Sequence, residues 1–242
     1  MKPEVQANKV VVLSGSGLSA ESGLPTFRDA QGLWNSHSWQ ELASPDGWRR
    51  HPGTVLEFYN ERRRKAWEAQ PNAAHLAIAA LQEHFDVVVV TQNVDALHER
   101  AGSRNVLHLH GELAFARSTS ESPQRVRIDD APIALGQVGS DGTQLRPDIV
   151  WFGEQTQYMT EARWHVATAS KVLVVGTSLS VQPAASLVNA ARGRAEKLLV
   201  SLEMERVPYG FRYQQGLATQ RVPVIVEGWL AQPGWACPIF CV

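Results

Sequence analysis

Cysteine is nearly absent from this chain of 242 residues: it carries two, Cys237 and Cys241, both close to its end. Neither a disulfide framework nor a four-thiolate zinc site can be built from them. Long apolar runs are missing too. None approaches the roughly 20 residues that span a bilayer, and the start MKPEVQANK lacks the apolar centre of a signal peptide. A soluble protein of the cytoplasm is expected. No sign of charge dominates, with 23 basic against 24 acidic residues, so nothing favours nucleic acid or an anionic membrane as the main partner. What remains is an ordinary globular chain, at the upper length that one hydrophobic core holds.

What is present is a series of short apolar runs: VVLSG from Val11, FDVVVVTQ from Phe85, VLHLHG from Val106, KVLVVGTS from Lys171, KLLVSLE from Lys197 and VPVIVE from Val222. Runs apolar on both faces suit strands of a parallel sheet that is covered on both sides. Between them lie segments of helical period, PNAAHLAIAALQEH and PAASLVNAARGRAEK. The pattern predicts an α/β fold, a Rossmann-like doubly wound parallel sheet. Two stretches break the rhythm. Residues 31 to about 70 predict a small helical module, and 114–144, rich in Ser, Gly, Asp and Pro, predict a loop-rich or partly disordered insertion. The expected organisation is one domain over 1–242, with a core of 1–31, 82–113 and 145–231, a helical module of 32–81, the insertion 114–144 and a tail 232–242.

Three strings carry chemistry. The first strand runs into SGSGLSAESGLPTFRD, where glycines between strand and helix let the backbone approach a pyrophosphate. By itself such a string also fits an ordinary tight turn. The second strand ends in TQNVDALHERAG, whose amide and carboxylate groups suit ribose hydroxyls and a carboxamide, although Asn93 also fits a helix N-cap. The third reads LHLHGEL, with His108 and His110 on one face of the strand. Such a pair suits a satisfied polar contact, a metal site or a base working near neutrality.

Taken together, the strings resemble the sirtuins, NAD-dependent protein lysine deacylases. The first is similar to the family's opening signature through Gly15, Ser16, Gly17, Ser19, Ser22, Gly23, Pro25, Phe27 and Arg28, and the second to its TQN-D-LH signature through Gln92, Asn93 and Asp95. LRPDIVWFGE resembles the segment that binds the substrate backbone as an added strand, and GTSLSVQPAA the nucleotide-binding turn. The resemblance implies that NAD is held by Gly15, Ser16, Gly17, Ser19, Phe27, Arg28, Gln92, Asn93, Asp95, Gly176, Thr177 and Ser178, with Ser201 and Glu203 near the adenosine ribose. It implies that His110, before the glycine, is the general base and that Asn93 and Asp95 position the ribose and nicotinamide. It assigns Val150, Phe152, Gly153 and Glu154 to the acyl-peptide groove. The products would be nicotinamide, free lysine and O-acyl-ADP-ribose.

The chain departs from the family in three places. Members carry four cysteines as two C-x-x-C pairs in the segment where this chain has none, so zinc and its structural staple are not expected. Ser16 stands where alanine is usual and Ser201 where asparagine is common.

EFYNERRRK, residues 57–65, reads either as a solvated helix face or as a site for an acid. On a helix Tyr59 and Arg62 share a face, whereas Arg63 and Arg64 turn away to solvent and Glu61 faces Lys65. Sirtuins that remove succinyl and malonyl groups carry Tyr-x-x-Arg here, which implies an acid clamp made by Tyr59 and Arg62. The expected activity is deacylation of acetyl-lysine and of succinyl- and malonyl-lysine. NAD hydrolysis, ADP-ribosyl transfer and non-catalytic binding of NAD or acyl-lysine stand as alternatives.

Overall fold

A computed structural model of the chain describes residues 4–26 and 38–231. Phe27, Arg28 and the tail with its two cysteines lie outside the described residues. In strand β1 (Gln6–Ser14) the period of two sends Val10 and Val12 to one side and Val11 and Leu13 to the other, and both sides are buried. Such a strand must sit inside a sheet covered on both faces. Here β1 pairs in parallel with β2 (Asp86–Thr91) and with β7 (Ala169–Val175). Next to β2 lies β3 (Val106–His108), and beyond β7 come β8 (Glu196–Ser201) and β9 (Arg212–Gln215). The order β3-β2-β1-β7-β8-β9 is that of a doubly wound sheet whose switch point falls between β1 and β7.

The helices begin with α1 (Ser16–Ala20), followed by α2 (Trp39–Leu42), α3 (Pro45–Arg50) and α4 (Pro52–Glu68), which form the expected helical module in its described part. Helix α5 (Ala73–Ala80) leaves that module to pack Ala74 and Ile78 on the sheet, and α6 (Leu97–Arg100) follows β2. The opposite face of the sheet is covered by α7 (Met159–Thr168) and a 3-10 turn at Ala184–Ala190.

The run from Val222 is not a strand. It lies in α8 (Ala218–Leu230), where Val222, Ile225, Val226 and Trp229 recur at helical spacing and are buried against the sheet, while Val224 is exposed. The place of the sixth strand is taken by RYQQ in β9, a short polar edge. The segment PAASLVNAARGRAEK forms only the 3-10 turn and a loop before its last two residues enter β8.

The insertion is built rather than loose. Strands β4 (Gly111–Ser118), β5 (Arg125–Arg127) and β6 (Leu145–Ile149) make an antiparallel sheet in the order β5-β4-β6. Arginines pair with carboxylates across it: Arg125 Nε with Asp148 at 2.6 Å, Arg117 with Glu154 at 3.0 Å and Arg146 with Glu154 at 2.7 Å. The Arg125 guanidinium also lies 3.4 Å from the Phe115 ring centroid. No helix among the described residues is long and apolar enough to cross a membrane.

Under the sheet, His75 of α5 and His98 of α6 meet edge to face at 5.0 Å, both fully buried. Burial holds the His75 imidazole down to about 4 from its ordinary 6.5, with Glu99 opposing weakly. His98 is lowered in the same way. The unfolded chain therefore takes up more protons between pH 6.5 and 4, and stability must fall as pH drops through that window. For His75 the full loss is about 3 kcal/mol. Urea unfolding from pH 7 to pH 4 should show this slope, and His75→Gln should flatten it; an unchanged slope in the variant would exclude His75 as its source.

Candidate active site

At the switch point two turns touch back to back. After β1, Gly15 N donates to Val175 O at 3.1 Å and Gly17 N to Gly176 O at 2.8 Å. Gly176, after β7, has φ +63°, and a Cβ there would stand 2.2 Å from Leu18 N. Only glycine fits that conformation at that distance. A Cβ on Gly17 would meet Gly176 O at 2.9 Å, so the two loops approach as bare backbone and leave a cradle above the sheet. Helix α1 has five residues and no side-chain cap on Gly15, so the turns rather than a long helix shape this cradle. The second strand joins it through Gln92, whose Nε2 donates to Thr177 Oγ1 at 3.1 Å. Ser16 is half-buried, while Ser178 and Glu203 are exposed, and Ser201 Oγ donates to Glu203 O at 2.7 Å at the end of β8.

Ser19 connects the signatures. It accepts from Asn93 Nδ2 at 2.9 Å and donates to Asp95 Oδ2 at 2.9 Å. Asp95 also accepts from Leu97 N at 3.2 Å. Burial pushes the Asp95 carboxyl up, while the bonds from Leu97 and Ser19 pull it back in part. Asn93 Oδ1 is buried with no hydrogen-bond partner among the described residues. A buried acceptor left open beside a glycine cradle fits the carboxamide of a nicotinamide and so an NAD molecule.

The two histidines diverge although their anchoring is alike. His108 donates through Nδ1 to Asn93 O at 2.9 Å, and His110 through Nδ1 to Gln92 O at 3.2 Å, since a carbonyl can only accept. What differs is the other nitrogen. His108 Nε2 lies 2.7 Å from Glu99, with Glu112 4.0 Å away. Burial opposes charge on His108, but the Glu99 bond and these two carboxylates outweigh it and lift the imidazole above its ordinary value. Burial lowers His110, with only the Gln92 bond resisting. Glu99 thus holds His108 as an anchor and favours its charged form, whereas burial favours a neutral His110 whose Nε2 can take a proton. Glu99, His108 and Glu112 bring three ligand atoms within 4.8 Å, yet Nε2 is already engaged by Glu99. The glycine after His110 has its own reason: Gly111 has φ +80°, and a Cβ would lie 2.0 Å from Asp148 O.

The acyl side is formed by α4. Tyr59 is buried and accepts from Trp151 Nε1 at 3.1 Å, and Arg62 lies with its guanidinium carbon 5.6 Å from the Tyr59 ring centroid. Burial lowers Arg62, while Tyr59 and the Asp95 carboxylate counter it. Arg64 is exposed and paired with Glu61 and Glu68, and Lys65 with Glu61 at 3.2 Å. Arg63 does not face solvent as its charge suggested. It is 1% exposed, donates from Nε to Leu113 O at 2.7 Å and from Nη1 to Asn60 Oδ1 at 2.7 Å, and ties α4 to β4. On the groove side Phe152 and Gly153 are exposed and Val150 N donates to His110 O at 2.9 Å. The Glu154 carboxylate is bound inward to Arg117, Arg146 and Trp151 N, so the side chain is not offered to the groove. Glu99 and Trp151 were not singled out in the sequence; only spatial proximity to His108 and Tyr59 reveals them.

If His110 is the base, it must be neutral to work. Its lowered pKa keeps it so to below pH 6.5, so the acid limb of kcat/KM should lie below that value. An acid limb centred above pH 6.5 would contradict this assignment.

Comparison with known proteins agrees with this arrangement. Residues 15–183 match the Sir2 family. An NAD-dependent protein deacylase of Helicobacter pylori is 53% identical over 75% of this chain and 79% of its own length. A mutant Sir2 homologue in complex with ADP-ribose superposes with a TM-score of 0.87 at 36% identity, over 95% of this chain and 96% of that one. A Sir2 homologue in complex with NAD gives 0.82 at 37% identity, over 92% and 90%. With the family's match running through both glycine turns and the His110 segment, this chain belongs to the Sir2 family, the sirtuins.

Proposed function

We propose that this sirtuin uses NAD to remove acyl groups from protein lysine side chains, taking succinyl and malonyl groups in addition to acetyl. The observation that supports the acyl reading is that Arg62, half-buried, lies beside the buried Tyr59 on α4, its guanidinium carbon 5.6 Å from the Tyr59 ring centroid. A phenol and a guanidinium side by side suit a carboxylate. Burial raises the Tyr59 pKa, so the phenol keeps its proton and can donate it. The charge-assisted bond to Arg62 is worth about 1.5 to 3 kcal/mol, or about ten- to hundredfold in acyl preference.

NAD fits the residues present. The cradle of Gly15, Gly17 and Gly176 admits a pyrophosphate against bare backbone, Gln92 and Thr177 close its side, and Asn93 Oδ1 can accept from the carboxamide. When bound, NAD supplies the ribosyl carbon that accepts the acyl oxygen as nicotinamide leaves. The chain's own work is then positional and protic. Ser19 fixes Asn93 and Asp95 relative to each other, so one hydrogen-bonded unit orients ribose and nicotinamide. His110 Nε2 accepts a proton at the mouth of the crevice, and the Gln92 carbonyl holds its tautomer. Phe152 and Gly153, exposed beside β6, offer an edge for the substrate backbone.

The test is release of nicotinamide and of free lysine from one peptide carrying acetyl, succinyl or malonyl lysine, with and without NAD. Wild type should release both products only with NAD, and Arg62→Met should lose about ten- to hundredfold of the acidic-acyl preference. His110→Tyr should abolish lysine release and retain NAD binding. Turnover restricted to acetyl would remove the clamp, and nicotinamide release without lysine would move the chain to NAD hydrolysis.

A further inference from the structure

Tyr59 is held by more than Arg62 of its own helix. Its hydroxyl oxygen accepts the Trp151 indole N–H at 3.1 Å, with the two rings 6.4 Å apart. Trp151 is 2% exposed and is held from two further directions. The Arg146 guanidinium carbon lies 3.2 Å from its ring centroid, and its main-chain N–H donates to Glu154 Oε2 at 2.8 Å. Arg146 and Glu154 are themselves joined by two hydrogen bonds, of 2.7 and 3.0 Å. Arg146 Nη2 also reaches Ile149 O at 2.8 Å, and Arg117 braces Glu154 at 3.0 Å. The side chains thus run without a gap from the cysteine-free sheet to the phenol of the acyl pocket.

The direction of the last bond has a consequence. An indole N–H can only donate, so it occupies a lone pair of the Tyr59 oxygen and turns the phenol proton away from Trp151. A phenylalanine at 151 would fill most of the same space and still lie under the Arg146 guanidinium, but it has no N–H. The indole nitrogen is therefore the one part of this side chain that packing alone does not explain.

Resting on the acid-clamp reading of Tyr59 and Arg62, we infer that Trp151 is a positioning residue for acyl specificity: held by Arg146 and Glu154, it aims the Tyr59 hydroxyl proton at the carboxylate of an acidic acyl group. The sheet that lacks cysteines then has a second task, since its ion pairs fix the specificity pocket as well as its own strands.

The test compares kcat and KM on succinyl-, malonyl- and acetyl-lysine peptides at saturating NAD for wild type, Trp151→Phe, Tyr59→Phe and the double variant, each with its melting temperature. Trp151→Phe should raise KM for the acidic acyl groups about two- to tenfold and lower the succinyl-to-acetyl ratio of kcat/KM. In the Tyr59→Phe background it should change that ratio no further. Equal losses on acetyl and succinyl, or additive losses in the double variant, would overturn the inference and leave Trp151 a packing residue. A wild type that does not favour acidic acyl groups over its own Arg62→Met variant would instead overturn the clamp. Should Trp151→Phe fail to fold, Arg146→Lys loses the planar contact while keeping the charge; it should lower the same ratio, and an unchanged ratio would count against the inference.

Discussion

The contact between two backbone turns at the switch point of the sheet sets where the other groups stand. Gly17 N to Gly176 O at 2.8 Å leaves no room for side chains between β1 and β7, so the loops after these strands splay outward together and open the crevice. Helix α1 then leaves from a fixed point, and Ser19 on it arrives beside Asn93 and Asp95 from β2. A Cβ at Gly176 would force the turns apart, and the Ser19 bonds at 2.9 Å would be the first to stretch. The polar unit at the reaction centre is thus downstream of a steric requirement, and its precision comes from the sheet.

That requirement is local, and this is why so much of the site was legible. Glycines, polar residues at strand ends and alternating histidines occupy positions fixed by neighbours in the chain, and of the positions named from the motifs Gly17 meets Gly176, Gln92 meets Thr177 and Ser19 meets Asn93 and Asp95, whereas Glu154 turns inward. Features decided by distant partners were not legible. Arg63 reads as solvent-facing because it is charged, yet the carbonyl that buries it belongs to Leu113. The run from Val222 is short enough to fit strand or helix, and only burial of Val222, Ile225, Val226 and Trp229 on one side decides for the helix. RYQQ of β9 has little apolar character because an edge strand needs little.

The insertion belongs with the features that depend on distant partners. It carries no cysteine that could gather it around zinc, and its composition reads as a loop. Its strands close because Arg125 meets Asp148, and Arg117 and Arg146 meet Glu154. Ion pairs at such half-buried sites gain little net stability, since desolvation offsets attraction. Their geometry is nonetheless demanding: two arginines on one carboxylate, and a guanidinium flat against an indole, admit few arrangements. The network therefore specifies a shape more than it adds stability, and the shape it specifies ends at Tyr59.

The histidines show how finely such a frame can divide roles. His108 and His110 lie two residues apart on one face, and each gives its Nδ1 proton to a backbone carbonyl from the loop after β2. Nothing in that anchoring chooses a base. The choice is made by what Nε2 meets. Glu99, on α6, reaches His108 Nε2 and favours its charged form, so the ring ties β3 to α6 and secures the Asn93 carbonyl. Among the described residues His110 has burial but no carboxylate, so its neutral form is favoured and leaves a lone pair available. Moving one carboxylate from Nε2 of the first ring to Nε2 of the second would exchange the two roles, because their pKa values are pushed apart by environment and not by position in the strand.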